Sequence, residues 1–281
     1  AEEVESVSPA TTHAAEETAV SSPTARPAAA EQPATANDSN IYLPAIGRPL
    51  ELSPQTAALE VTQGVVELQQ PDGTWQAANQ FTAVSAGQRL KTAAFSSATL
   101  TFYDGSIATL AANSELTLET INAQKPDEGL RTIVMTQWLG ESEHSVDFRN
   151  DTGSRYEVKS PTGSGIARGT TFKVRVKPNQ QAFYTVTKGK VDVTNRGSMV
   201  SLLPGQVTLL AAAQPPQPPA FFVNGEGIVE LTGDLWTIGG QTFQLTGQTV
   251  VGGNPQLGDL VRVEGRLLAD GTRQADLIVQ L

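Results

Sequence analysis

Apolar and polar side chains alternate along most of the chain beyond residue 56, and no stretch repeats them at the three-and-four spacing of a helix. The clearest run opens at Thr170. Phe172, Val174 and Val176 fall on one face and Thr171, Lys173, Arg175 and Lys177 on the other, which predicts a half-buried strand. Gly169, at its entry, lacks a Cβ and so suits a bulge or a close backbone approach. Strands follow at 183–187 and 188–194, with Lys188-Gly189 as the hairpin corner between them. Upstream, the same reading predicts strands at 58–62, 65–68, 98–103, 106–110 and 116–121, with turns at Pro71-Asp-Gly-Thr74 and Asp104-Gly105. The longest alternating run is 130–139, and the acidic patch 141–147 behind it reads as a loop. Short strands at regular spacing without a helical period predict a sandwich or a short solenoid of stacked turns.

Two segments interrupt this pattern. Gln214-Pro-Pro-Gln-Pro-Pro219 reads as a stiff extended spacer of roughly 3 Å per residue and divides a domain at 57–212 from one at 221–281. The second unit shows five or six short strands around the turn Gly239-Gly240, the size of a small OB-like closed barrel. At the other end, residues 1–40 are rich in Ala, Thr, Ser, Glu and Pro with no apolar face, and read as a solvated tether or a glycan-bearing stalk. An apolar ribbon follows at 41–56, and Pro44 and Pro49 exclude it from the centre of a sheet. Its Ile41, Tyr42, Leu43, Ile46, Leu50 and Leu52 either pack on their own domain or add a strand to a neighbouring copy.

The Arg168-Gly-Thr-x-Phe172 entry, the short Gly189-Lys-Val-Asp-Val193 run and Leu203-Pro-Gly-Gln206 together resemble the end of a FecR domain. Its earlier half is matched by Gly87-Gln-Arg-Leu-Lys-Thr92, Ser97-Ala-Thr-Leu100, Asp104-Gly-Ser106, Leu110 and Asn113-Ser-Glu-Leu116, so the resemblance covers about 57–212. That family is named for the periplasmic half of an iron-citrate sensor regulator. The resemblance implies an all-β domain that receives a signal from an outer-membrane partner and controls a sigma-factor regulator. Such regulators carry a cytosolic helical segment and a membrane span before the domain, and neither is visible here. Residues 222–281 look like the small barrel of an uncharacterised bacterial family with Gly-Asp-x-Val-x-Val-x-Gly near its last hairpin, here Gly258-Asp-Leu-Val-Arg-Val-Glu-Gly265.

Composition narrows the function classes. The net charge is -10, and in the first forty residues Glu2, Glu3, Glu5, Glu16, Glu17, Glu31 and Asp38 face only Arg26. This balance argues against nucleic-acid binding, which draws on clustered Lys and Arg. With no cysteine, disulfides, thiolate metal sites and thiol nucleophiles are excluded. No run approaches the ~20 apolar residues of a membrane span, and the Ala-Glu-Glu start matches a mature secreted protein.

Chemistry is sparse. His13 lies in the leader and His144 in the acidic patch, where a weak cation site is the only metal reading. No Gly-x-Ser-x-Gly elbow accompanies His144. The pairs Asp104 with Glu115 and Asp147 with Asp151 are the only carboxylates suggestive of glycoside chemistry. Arg168 is the one charged residue of the 168–172 signature, which also holds Gly169, Thr170 and Phe172, and its fork suits a structural anchor. Trp75, Trp138 and Trp236 read as packing residues, with Trp75 the most exposed. We therefore expect a non-enzymatic secreted protein without cofactor, built as a filament, sheath or surface-layer subunit by strand pairing between copies. A FecR-type sensing module and a cell-wall or glycan-binding module are the alternatives.

Overall fold

The computed structural model describes residues 55–124, 130–147 and 153–281, all of which belong to a single unit of the chain. The ribbon at 41–52 lies outside them. Every regular element described is a strand, as the alternation predicts: β1 (Thr56–Gln63), β2 (Val66–Gln69), β3 (Trp75–Ala77), β4 (Phe81–Ser85), β5 (Arg89–Thr92), β6 (Ser97–Thr101), β7 (Ile107–Leu110), β8 (Glu115–Gln124), β9 (Leu130–Ser145), β10 (Arg155–Ser160), β11 (Gly163–Ala167), β12 (Thr171–Val176), β13 (Ala182–Lys188), β14 (Val191–Asn195), β15 (Ser198–Leu202) and β16 (Gln206–Leu210) build the first part. The second part holds β17 (Ala220–Leu231), β18 (Leu235–Ile238), β19 (Gln241–Gln244), β20 (Val250–Gly252), β21 (Leu260–Leu267) and β22 (Arg273–Gln280). No helix among the described residues is long and apolar enough to cross a membrane.

The first part is a sandwich of two sheets that share one strand. One sheet runs β4-β1-β6-β7-β9-β12-β13-β16 and the other β3-β2-β5-β8-β9-β10-β11-β14-β15. The first half of β9 pairs with β8 and, in parallel, with β10; its second half pairs with β7 and β12 in the other sheet. The patch expected as a loop is thus the second half of a sixteen-residue strand. It escapes an apolar-alternation reading because its inward positions, Ser142 and His144, are polar yet fully buried. Between the sheets lies one core in which Leu59, Leu100, Phe172 and Tyr184 of one meet Leu90, Leu118, Ile133 and Tyr156 of the other. Each such side chain contributes roughly 1.5–3 kcal/mol by leaving water.

Lys188-Gly189 is not a hairpin corner. β13 pairs with β12 and β16 in one sheet, whereas β14 pairs with β11 and β15 in the other, so Gly189 marks a crossing between sheets. Arg168-Gly169-Thr170 marks the companion crossing, from β11 to β12. The two corners touch: a Cβ on Gly189 would stand 2.7 Å from the Gly169 carbonyl oxygen. The close approach anticipated at Gly169 therefore exists, and its partner is the second corner.

The second part closes into a small barrel in the order β17-β18-β19-β22-β21-β17, with β20 added in parallel to β22. Val229, Ile238, Phe243, Val261, Val263, Ala275 and Ile278 fill it. β17 begins on the sandwich, where Ala220 and Phe221 pair with Val207 and Gln206 of β16, and continues as a barrel strand against β21. The proline-rich stretch before it folds back on β16. Gln217 donates its N–H to Leu209 (3.0 Å) and accepts from the Thr208 hydroxyl (2.6 Å).

Candidate functional site

Outward-facing residues of β12 meet the barrel. Because strand side chains alternate, Lys173, Arg175 and, just past the strand, Lys177 project away from the core that holds Phe172, Val174 and Val176. Arg175 stands between two carboxylates from different parts of the chain. Its Nε donates to Glu141 Oε2 on β9 (2.7 Å), and its Nη1 pairs with Glu264 on β21. Lys173 lies 3.5 Å from Glu141 and 3.3 Å from Glu143. The Lys177 ammonium donates to the backbone carbonyls of Gln248 (3.2 Å) and Asp276 (3.0 Å) in the barrel. On the barrel side, Arg266 grips Asp276 with two bonds of 2.8 Å and donates to Gln217 Oε1 at 2.6 Å. Glu141, Lys173, Arg175, Lys177, Glu264 and Asp276, with Phe183, Phe222 and Asn224, line a cleft of about 280 Å³.

Glu141 owes its position to the crossing of β9 between sheets. The strand turns at Gly140, whose φ of 79° is in the left-handed region, and a Cβ there would fall 2.4 Å from Ser114 Oγ. Ser114 answers both backbone groups of the next residue: its hydroxyl donates to the Glu141 carbonyl (3.0 Å) and accepts the Glu141 N–H (2.9 Å). Asn113-Ser-Glu-Leu116 is therefore the clamp that fixes the turn. Asp104-Gly-Ser106 has a similar role, because Asp104 accepts from Ser106 N (3.0 Å) and Oγ (2.8 Å) and pairs with Arg131, both side chains being at most 2% exposed.

The anchoring arginine of the sandwich is consequently Arg131, not Arg168. Arg168 is exposed and has no hydrogen bond or ion pair to the described residues, though its charge helps hold the Asp192 carboxyl low alongside Ser201 and Lys190. Its neighbours in the signature are structural. Gly169 forms the corner, the Thr170 carbonyl accepts from Val146 N (2.8 Å), and Phe172 stacks on His144 with centroids 4.9 Å apart. The Thr170 hydroxyl is buried without a partner.

His144 sits inside the sandwich rather than in a cation-holding loop. Its Nε2 is 2.8 Å from Ser142 Oγ and its Nδ1 is 3.0 Å from the Tyr156 hydroxyl. Burial pushes its pKa down to about 3. A serine and histidine are thus brought together, but all three side chains are sealed from solvent. Asp104 and Glu115 do not form a carboxylate pair, since Arg131 takes the first and Arg89 the second (2.7 Å); Asp151 lies outside the described residues. No group of three or more His, Asp or Glu among the described residues is placed to hold a metal ion. Trp138, at 40%, is more exposed than Trp75, over whose ring the Lys91 ammonium lies 4.2 Å from the centroid. Trp236 packs against the barrel core.

Residues 88–192, from the start of β5 into β14, match the family described as FecR protein, and residues 226–279 match the family described as Domain of unknown function (DUF5666). The chain carries a FecR domain followed by a DUF5666 domain. No curated protein matches it. Two crystal structures of a protein from Parabacteroides distasonis ATCC 8503, provisionally described as an anti-sigma factor, at 2.50 and 1.65 Å resolution, are similar at 19% identity and a TM-score of 0.39. The likeness covers 47% of this chain and 59% of theirs, so the chain spans less than two thirds of that protein.

The FecR match corrects the expectation of a filament, sheath or surface-layer subunit. That expectation needed open strand margins for copies to pair along. In the FecR domain every strand from β5 to β14 is hydrogen-bonded on both sides within the same chain, and among the described strands of the sandwich one-sided pairing is confined to β3, β4 and β15, outside the matched residues. The ribbon proposed to reach across, Ile41 to Leu52, lies outside the described residues. The basic row on β12 was visible in the alternation at 171–177, but its acidic counterpart, Glu264, lies 89 residues further on and no local signal links them.

Proposed function

We propose that this chain is the extracytoplasmic relay module of a FecR-type sigma-factor regulatory system: it receives a signal on its β domains and transmits it to a partner that governs a sigma factor. The match of 88–192 to the FecR family carries this reading. Its support in the geometry is a sandwich whose matched strands β5 to β14 are each paired on both sides, so that within the matched residues recognition falls to side-chain surfaces. A non-catalytic role is supported by the sealed Ser142–His144 pair, which no substrate reaches. Placement outside the cytoplasm is part of the same proposal and draws on the FecR match.

The test is an in-frame deletion of residues 88–192 from the chromosomal copy, followed by transcript profiling. A discrete set of transcripts sharing one promoter class is expected to change. A profile identical to the parent strain, under conditions in which the protein is made, would overturn the proposal.

A further inference from the structure

Lys177 is a buried ammonium with no carboxylate of its own. It is 8% exposed, and both of its hydrogen bonds go to backbone carbonyls, those of Gln248 and Asp276. The Asp276 carboxylate is taken up by the fork of Arg266. An ammonium has three donors, so one is left without a hydrogen bond; beside it the charge has only the face of Phe183, whose ring centroid is 4.9 Å from Nζ. Burial holds the amine below its ordinary pKa; Asp276 opposes this, while the like charges of Arg175 and Arg266 add to it. A buried charge in this condition is costly unless paired, and the adjoining space is open to a ligand.

That space is the cleft of about 280 Å³ between β12 and the barrel. Its lining includes Lys173, whose side chain is 44% exposed and whose ion pairs are long. It also includes the side chains of Thr185, Thr187 and Asn224, which have no hydrogen-bond partner among the described residues. Sites for drug-sized ligands start at roughly 300 Å³, so the cleft suits a smaller molecule. Glu141, Glu264 and Asp276 at its walls disfavour a dianion more than a monoanion. We propose that the cleft binds a small organic acid, one carboxylate oxygen on the Lys177 ammonium and the other on the Thr185 hydroxyl.

Sodium acetate and sodium benzoate, titrated into the full chain against sodium chloride at matched ionic strength, provide the probe. At ten times Kd the melting temperature is expected to rise by about 3–6 °C, and Lys177→Met is expected to abolish the rise. Should that variant fail to fold, Thr185→Val keeps the ammonium and is expected to weaken acetate or benzoate at least five-fold by calorimetry. No rise beyond chloride, an equal rise in Lys177→Met, unchanged affinity in Thr185→Val, or an equal response to inorganic phosphate would each overturn the carboxylate site. The relay reading rests on the FecR match and is untouched by these titrations, as the cleft is by transcript profiling.

Discussion

At the scale of single residues, the sandwich hides its ionisable groups where titration must unfold it. His144 is held neutral by burial, with a folded pKa near 3 against an ordinary value of 6.5. Below 6.5 the unfolded chain binds a proton that the folded chain refuses, so stability falls as pH falls through the window from 6.5 to 3. The slope is about 1.4 kcal/mol per pH unit. Urea unfolding between pH 6 and 5, before most carboxylates titrate, should show this slope, and His144→Gln should flatten it; equal slopes in the two proteins would refute the assignment. Asp104 contributes through its ion pair with the buried Arg131. Asp104→Asn leaves that guanidinium without its counter-charge and should cost about 3–5 kcal/mol in urea unfolding at pH 7, whereas a loss under 1 kcal/mol would mean that solvent reaches the pair.

At the scale of elements, β9 ties the sheets together, and Gly140 allows it to do so. Gly140→Ala forces an L residue into the left-handed region and drives a Cβ against Ser114 and the Asn113 carbonyl, with an expected loss of about 3 kcal/mol or more. Gly73→Ala, also at positive φ but with nothing within 4 Å, isolates the conformational part and should cost only about 1–2 kcal/mol. Matching losses would show that the crowding at Ser114 relaxes freely. Most strands were legible in the sequence because alternation is local: Phe172, Val174 and Val176 announce their own face. Sheet membership was not, because it is decided by distant partners. β13 and β14 are adjacent in sequence yet pair with different sheets, so the glycine between them resembled a hairpin corner. Arg131 and His144 were missed as buried groups because their partners, Asp104 and Tyr156, lie 27 and 12 residues away. The cleft was out of reach for the same reason, as the cations of β12 acquire meaning only beside β21 and β22.

At the scale of the whole molecule, the junction decides whether the two parts unfold together. Among the described residues, thirty buried apolar residues form the sandwich core and seven the barrel core. A barrel of about sixty residues is marginal alone. It gains support from Phe183, Val207, Leu209 and Ala220, which cluster at the sandwich margin with Phe222 and Leu268 of the barrel, and from Arg175 between Glu141 and Glu264. Removing the guanidinium leaves two partly buried carboxylates facing each other, one from each part, so the penalty falls on the interface rather than on either core. Arg175→Met should therefore cost about 1–3 kcal/mol and split a single melting transition into two, with the barrel melting first. Trp236 is the barrel's one tryptophan, and Trp75 and Trp138 belong to the sandwich. In a Trp75→Phe, Trp138→Phe background its fluorescence reports the barrel alone, while calorimetry reports both parts. Coincident transitions with and without Arg175 would show that the shared strand β17 couples the parts by itself and that the ion pairs across the cleft leave coupling unchanged.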